Sequence, residues 1–261
     1  MTLLLKYFSR LRHRIIKLIA RFHNWKSLVR LRNNEGLWST LTEYIRLSQS
    51  TGSSYSDYWV LYNYIRLYKP HEILECGTGI TTIVMAYALM ENEKQETRNK
   101  KGRITSMEDK QEWYKLAVKL MPGYLQQYVD LVYSEKTEYC YSIFRGVGYK
   151  NIPDRKYDFV FIDGPGTIAP SDGTRSFDFD YINVVMKSDK PVFGIVDKRM
   201  GTCYVLQKVF GVDKVKYDPK WGLGFVGPCT KNDIKTKISS ESFSHCIRVF
   251  SKKELNLHMG F

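Results

Sequence analysis

Ile73-Leu74-Glu75-Cys76-Gly77-Thr78-Gly79-Ile80-Thr81-Thr82 is the stretch that decides the fold. Its apolar start reads as a buried strand ending in a carboxylate, followed by two glycines two positions apart and then a helix start. Glycines at such a turn let the backbone approach a ligand closely, and the first helical turn offers N–H groups without intrahelical partners. A nicotinamide dinucleotide turn uses similar chemistry, but its fingerprint needs a third glycine where Thr82 stands. It also needs a ribose-binding acid about 20 residues on, whereas the next strand-end acid, Glu108, comes well later.

Strand-like and helix-like segments alternate outward from this turn. Residues 57–68 read as an aromatic-rich helix stopped by Lys69-Pro70, and 71–74 as the strand before the glycine turn. Helix follows at 81–91, then a charged loop or helix end at 92–103, a strand at 104–107 and a helix at 110–120. Further strands are expected at 129–133, 157–162 and 191–196, with helices at 179–186 and 202–210. The last two strands, 213–217 and 223–227, are close enough to form an antiparallel hairpin. Such alternation gives a parallel sheet covered by helices on both faces, and the terminal hairpin distinguishes it among doubly wound α/β folds.

Glu75-Cys76-Gly77-Thr78-Gly79 resembles the first motif of class I S-adenosylmethionine-dependent methyltransferases. Ile104-Thr105-Ser106-Met107-Glu108 resembles their second motif, and Tyr157 to Gly164 their fourth-strand motif. The resemblance spans roughly 54–229 and implies a Rossmann-like, seven-stranded, mostly parallel sheet with a terminal antiparallel hairpin. It implies that Gly77 and Gly79, with Thr78 and Thr81 of the same turn, hold the methionine portion of S-adenosylmethionine. Glu75 would accommodate its ammonium end, directly or through water. Glu108 would bind both ribose hydroxyls, as a carboxylate accepts two parallel hydrogen bonds. Asp109 is the neighbouring candidate, with solvation at a helix start as its alternative. Tyr133-Ser134-Glu135 departs from the Gly-Asp-Ala common near the adenine, which leaves Ser134 as the candidate there.

Asp163 and Asp197 are the strand-end carboxylates available to remove a proton from an acceptor, and Asp163 also adjoins the cofactor. Metal-dependent O-methyltransferases follow the second of these acids with Asn. Here Lys198 follows, which disfavours a divalent metal. Asp163-Gly164-Pro165, Gly173-Thr174-Arg175 and Val196-Asp197-Lys198-Arg199 are distantly similar to polysaccharide methyltransferases acting on uronic acid sugars. Arg175, Lys198 or Arg199 would then grip a carboxylate or phosphate of a glycan, the alternative being surface pairing with nearby acids. The expected activity is O-methylation of a small molecule or glycan. The alternatives are a nucleic-acid methyltransferase, or a methyltransferase-like module that binds without catalysis.

Net charge is +13 over 261 residues, and nine Lys and Arg precede the first acid, Glu35. The basic excess is thus concentrated in the N-terminal segment, which weakens a nucleic-acid reading. Residues 1–34 read as a basic amphipathic helix with an apolar stripe of Leu4, Phe8, Leu11, Ile15, Leu18 and Phe22. Lys6, Arg10, His13, Lys17 and Arg21 line another face. Arginines and lysines interrupt every apolar run, so neither a spanning helix nor a signal peptide is expected. The stripe suits either an anionic membrane surface or packing on the domain or a partner chain. The expected layout is this arm, a methyltransferase-like domain over 35–230 with a helical lead-in at 35–70, and an extension over 231–261. Five scattered cysteines without a CxxC pair argue against a disulfide framework or zinc site and fit a cytoplasmic protein, peripheral at the inner membrane face if the arm binds lipid.

Overall fold

The computed structural model describes residues 2–48, 54–95, 101–142 and 144–235. Helices α1 (Thr2–Arg32), α2 (Glu35–Ser48) and α3 (Tyr55–Tyr68) precede strand β1 (Glu72–Cys76). Then come α4 (Ile80–Gln95), β2 (Arg103–Glu108), α5 (Gln111–Leu120) and β3 (Val129–Tyr133). A hairpin, β4 (Lys136–Tyr141) and β5 (Phe144–Tyr149), leads to β6 (Phe159–Ile162), α6 (Asp180–Lys187) and β7 (Val192–Asp197). Helix α7 (Met200–Phe210), β8 (Val215–Asp218) and β9 (Leu223–Cys229) follow.

Seven strands form one sheet in the order β3-β2-β1-β6-β7-β9-β8. The first five run parallel, and β9 pairs antiparallel with both β7 and β8. This is the Rossmann-like arrangement with an antiparallel edge that the sequence predicts. The chain winds one way from β1 and the other way from β6, so the switch in direction lies between those two strands. Open α/β sheets bind ligands in the crevice outside the carboxyl ends at such a point. Glu75, Glu108, Asp163 and Asp197 are all brought to this one edge by the parallel strands that carry them.

Successive residues along a strand point to opposite faces, and two cores result. Leu74, Val160, Ile162 and Val196 face α6, α7 and the β4–β5 hairpin. Ile73, Ile104, Phe159, Phe161 and Ile195 face the helices α2, α3 and α4. Helix α4 is apolar nearly all round, as a helix sandwiched between a sheet and other helices must be. The end of α1 joins the same core through Leu31. Helix α3 ends where Lys69 turns left-handed, its N–H donating to the Ile65 carbonyl, just before Pro70.

One open alternative is decided, and one element was not expected. Helix α4 runs on to Gln95, anchored by buried Asn92, which donates to the Ile65 carbonyl and accepts from Arg66. The β4–β5 hairpin was not apparent in the sequence, because glycines at 146 and 148 weaken a strand pattern. Here they serve close packing. A Cβ at Gly146 would fall 2.9 Å from the rings of Phe177 and Phe179, and one at Gly148 2.4 Å from an Asp180 oxygen. Most of the 231–261 extension lies outside the described residues.

Candidate functional site

At the switch point the turns after β1 and β6 touch through glycine. Gly77 has φ +98°, and a Cβ there would come within 3.0 Å of the Asp163 carbonyl carbon and the Gly164 nitrogen. A Cβ on Gly164 would lie 2.8 Å from the Gly77 Cα. The Asp163 N–H donates to the Cys76 carbonyl and the Gly77 N–H to that of Met107, so three adjacent strand ends are tied together. Gly79 differs: a Cβ there would meet no atom within 4 Å. It faces open space that a ligand can use.

Glu75 is wholly buried and forms the centre of a hydroxyl cage. Thr81 and Thr82 each donate to it at 2.5 Å, and Ser106 at 2.7 Å. Thr78 bonds Ser106 in turn, at 2.5 Å. Burial pushes the Glu75 carboxyl up to about 7 despite these donors, with the Asp163 charge adding to the rise. Thr82 also accepts the Gly79 N–H at 3.0 Å, so the residue standing where a third glycine would be expected braces the turn instead. Thr82 and Ser106 were not among the sequence candidates. Their only signal was a hydroxyl residue in each of two motif segments.

Glu108 is also buried, at the mouth of α5, where it accepts the Lys110 N–H at 3.0 Å. Burial raises its pKa, and neighbouring backbone N–H groups, led by that of Lys110, oppose the rise. Asp109 beside it is half-buried. The Ser134 N–H donates to the Glu108 carbonyl, and its hydroxyl accepts the Asn151 N–H at 3.0 Å. Ser134 therefore fixes the loop past β3 rather than presenting a free hydroxyl.

Asp163 and Asp197 are brought together with a third acid, Asp57, which the sequence reading passed over. Asp57 enters from the first turn of α3, and Lys198 bridges it to Asp197. Lys198 Nζ lies 3.0 Å from Asp57 Oδ2 and 3.5 Å from Asp197 Oδ1. Burial pushes Asp57 and Asp197 each up to about 6, reinforced at Asp57 by the Asp197 charge and at Asp197 by the Asp163 charge. Burial also works against the Lys198 charge, but the two carboxylates outweigh it and raise its pKa, so it stays cationic. Asp163 is raised too, chiefly by desolvation and against the pull of Arg199. Its side chain is 45% exposed, against 12% for Asp197, so it is walled by protein yet open to solvent at its tip.

Among the described residues no cluster of three His, Cys, Asp or Glu side chains is arranged to hold a metal ion. The Lys198 ammonium sits against Asp57 and Asp197 and supplies the positive charge there. This donor set does not fit a divalent ion.

The two arginine candidates part company. Arg199 is occupied: it donates to Asp178, to the Pro165 carbonyl at 2.9 Å and to the Asp163 carbonyl. Asp178 is fully buried and also takes the Thr202 hydroxyl at 2.6 Å. Arg175 is exposed on the β6–α6 loop, beside an antiparallel bridge to Ile168, and its guanidinium has no partner among the described residues.

The strand order, glycine turn and strand-end acids together define a Rossmann-like fold of the class I methyltransferase type. No protein-family model and no curated protein matches the chain. Solved structures similar to it include a methyltransferase-like protein from Silicibacter pomeroyi (14% identical, over 76% of this chain and 95% of that one, TM-score 0.45). Another is a methyltransferase from Geobacter sulfurreducens (14% identical, 72% and 88%, TM-score 0.43). A third is the O-methyltransferase TomG from Streptomyces achromogenes, in complex with SAM (15% identical, 64% and 68%, TM-score 0.39). At these identities and TM-scores the likenesses decide nothing about chemistry, which rests on the residues themselves.

Proposed function

We propose that the chain is an S-adenosylmethionine-dependent methyltransferase acting on an oxygen of a small molecule or glycan. The observation that carries this is a carboxylate at the end of each of four sheet strands or the turns just after them, grouped around one glycine turn with open space at Gly79. Gly77, Thr78, Gly79 and Thr81 would line the methionine end of the cofactor, with Glu75 setting the charge behind them. Glu108 would receive the ribose hydroxyls, Asp109 would flank it, and Ser134 would act by positioning its loop. When bound, the cofactor supplies a methyl group activated by a sulfonium.

This chain's residues then have to orient the acceptor and receive its proton. Asp163, the more open acid, would take that proton, with Asp197 and Asp57 behind it. Burial raises Asp163 above an ordinary carboxylate and so makes it a better base, while Asp57 and Asp197, at about 6, remain ionised at neutral pH. Lys198 would hold the cluster's charge in balance. Arg175, exposed and unpaired, is the arginine suited to an acidic group on the acceptor, and a glycan carboxylate fits its planar fork. Arg199 is already committed to Asp178.

Titration calorimetry with S-adenosylmethionine and S-adenosylhomocysteine, with NADH as control, tests the cofactor. Micromolar binding of the first two, weakened at least about tenfold by Glu108→Ala (a lost charged hydrogen bond is worth about 1.5–3 kcal/mol), supports the reading. Absence of binding to both overturns it in favour of a non-catalytic module.

A further inference from the structure

Helix α1 carries two unlike apolar faces. The inner one, with Ser27 and Leu31, packs into the domain. The outer one is a stripe of Leu11, Ile15, Leu18, Phe22, Trp25 and Val29, spaced alternately four and three residues apart and between 39% and 62% exposed. Four of these belong to the stripe that the sequence marks, and the domain does not cover them. Along a straight helix the stripe runs about 27 Å. Six large apolar side chains in line on a soluble surface mark an interaction site.

The charges beside the stripe say what covers it. Arg14, Lys17, Arg21 and Lys26 are all exposed, and α1 contains no acid. The four-three spacing would suit a coiled coil with a second copy. Self-pairing, however, sets Arg21 beside Lys26 of the other chain in a parallel pair, and Arg14 beside Arg21 in an antiparallel one. An anionic surface suits all of them at once. Trp25 and Phe22 suit the headgroup boundary, where aromatic rings settle, while long basic side chains reach outward to phosphate. No described helix is long and apolar enough to cross a membrane, so α1 would lie in the plane of the interface.

We propose that the outer face of α1 docks on an anionic lipid surface. The docking is independent of the chemistry at the acid cluster, but it has a consequence there. On its inner side α1 holds His23 edge-on to Trp221, ring centroids 4.7 Å apart, and Asn24 accepts the Ser56 N–H at 3.1 Å. Ser56 precedes Asp57, and Gly222, after Trp221, accepts the Lys198 N–H at 2.9 Å. The segments framing the acid cluster thus rest on the back of the lipid-facing helix, about 10 Å from the headgroups.

Co-sedimentation of the full chain with phosphatidylcholine vesicles, and with equimolar phosphatidylcholine and phosphatidylglycerol vesicles, tests the proposal. Binding is expected to the anionic vesicles, at least about tenfold weaker to the neutral ones, and weakened by salt. Phe22→Ser with Trp25→Ser should lower the anionic binding about tenfold or more without moving the melting temperature, because both side chains are exposed. Failure to bind, or equal binding by this variant with its fold intact, overturns the proposal. So does light scattering that finds a dimer which the variant converts to monomer, since that assigns the face to a second copy.

Discussion

Lys198 Nζ lies 3.0 Å from Oδ2 of Asp57, a side chain 141 positions earlier in the sequence. The pair joins the turn after β7 to the first turn of α3. Through it a helix that precedes the sheet reaches the carboxyl edge where the strand-end acids gather. Asp57 is almost fully buried, so removing the ammonium leaves its charge, and that of Asp197, uncompensated.

Lys198→Met should therefore raise both carboxyls above their present value of about 6. If the acid cluster must be ionised to accept the acceptor's proton, kcat/KM in the unaltered protein rises as Asp57 and Asp197 ionise, through about 6, and then levels. In Lys198→Met that midpoint should move upward by at least about one pH unit, which corresponds to about 1.4 kcal/mol. An unmoved midpoint would exclude these acids as the titrating group.

Stability should carry a signature of the same acids. Asp57 and Asp197 each rise from 3.8 to about 6 on folding, so between those values the native state holds more protons than the unfolded one. Stability then falls as pH climbs through that window and is flat beyond it with respect to these groups. Asp197→Asn removes one titrating acid and relieves its repulsion of Asp57. Urea denaturation at pH 4 and pH 7 should show a smaller loss in the variant than in the parent.

Two glycines of one turn should behave differently. Gly77→Ala forces a side chain to positive φ and against the Asp163–Gly164 backbone, at a cost of about 1–3 kcal/mol measurable by chemical denaturation. Gly79→Ala places its methyl in open space, so the change in stability should stay within about 0.5 kcal/mol. Its effect should appear in calorimetry instead, as weaker S-adenosylmethionine binding. Unchanged affinity in Gly79→Ala would place the cofactor elsewhere.

Arg199→Ala should act as a structural lesion. It strips the buried Asp178 of its cation and frees two carbonyls of the β6–α6 loop, so a loss of about 3 kcal/mol is expected. Arg175→Ala should leave the melting temperature unchanged and raise the KM for an acidic acceptor. Reversal of those two outcomes would return Arg199 to the acceptor site.

The sheet was legible because buried parallel strands read as short apolar runs, and the glycine turn between β1 and α4 is local in sequence. Glu75, Glu108, Asp163 and Asp197 were legible for the same reason, each ending or just following such a run. Asp57 was not. It sits in an aromatic-rich helix, where one acid reads as a solvated or first-turn residue, and only tertiary packing brings it to Asp197. The β4–β5 hairpin hid behind its glycines, and the engagement of Arg199 depends on an aspartate 21 residues away, on the far side of α6 and β7. The apolar stripe of α1 was visible, but periodicity alone does not say which of two faces a helix turns inward.

Lys198 adopts φ +48°, a left-handed conformation that asparagine accepts far more readily than lysine. Backbone and charge therefore pull this position in opposite directions. One nucleotide separates the codons of the two residues, so the exchange is within reach of a single mutational event. It would relax the main chain and, in the same stroke, take away the cluster's built-in cation, leaving Asp57, Asp163 and Asp197 to recruit one from the surrounding solution.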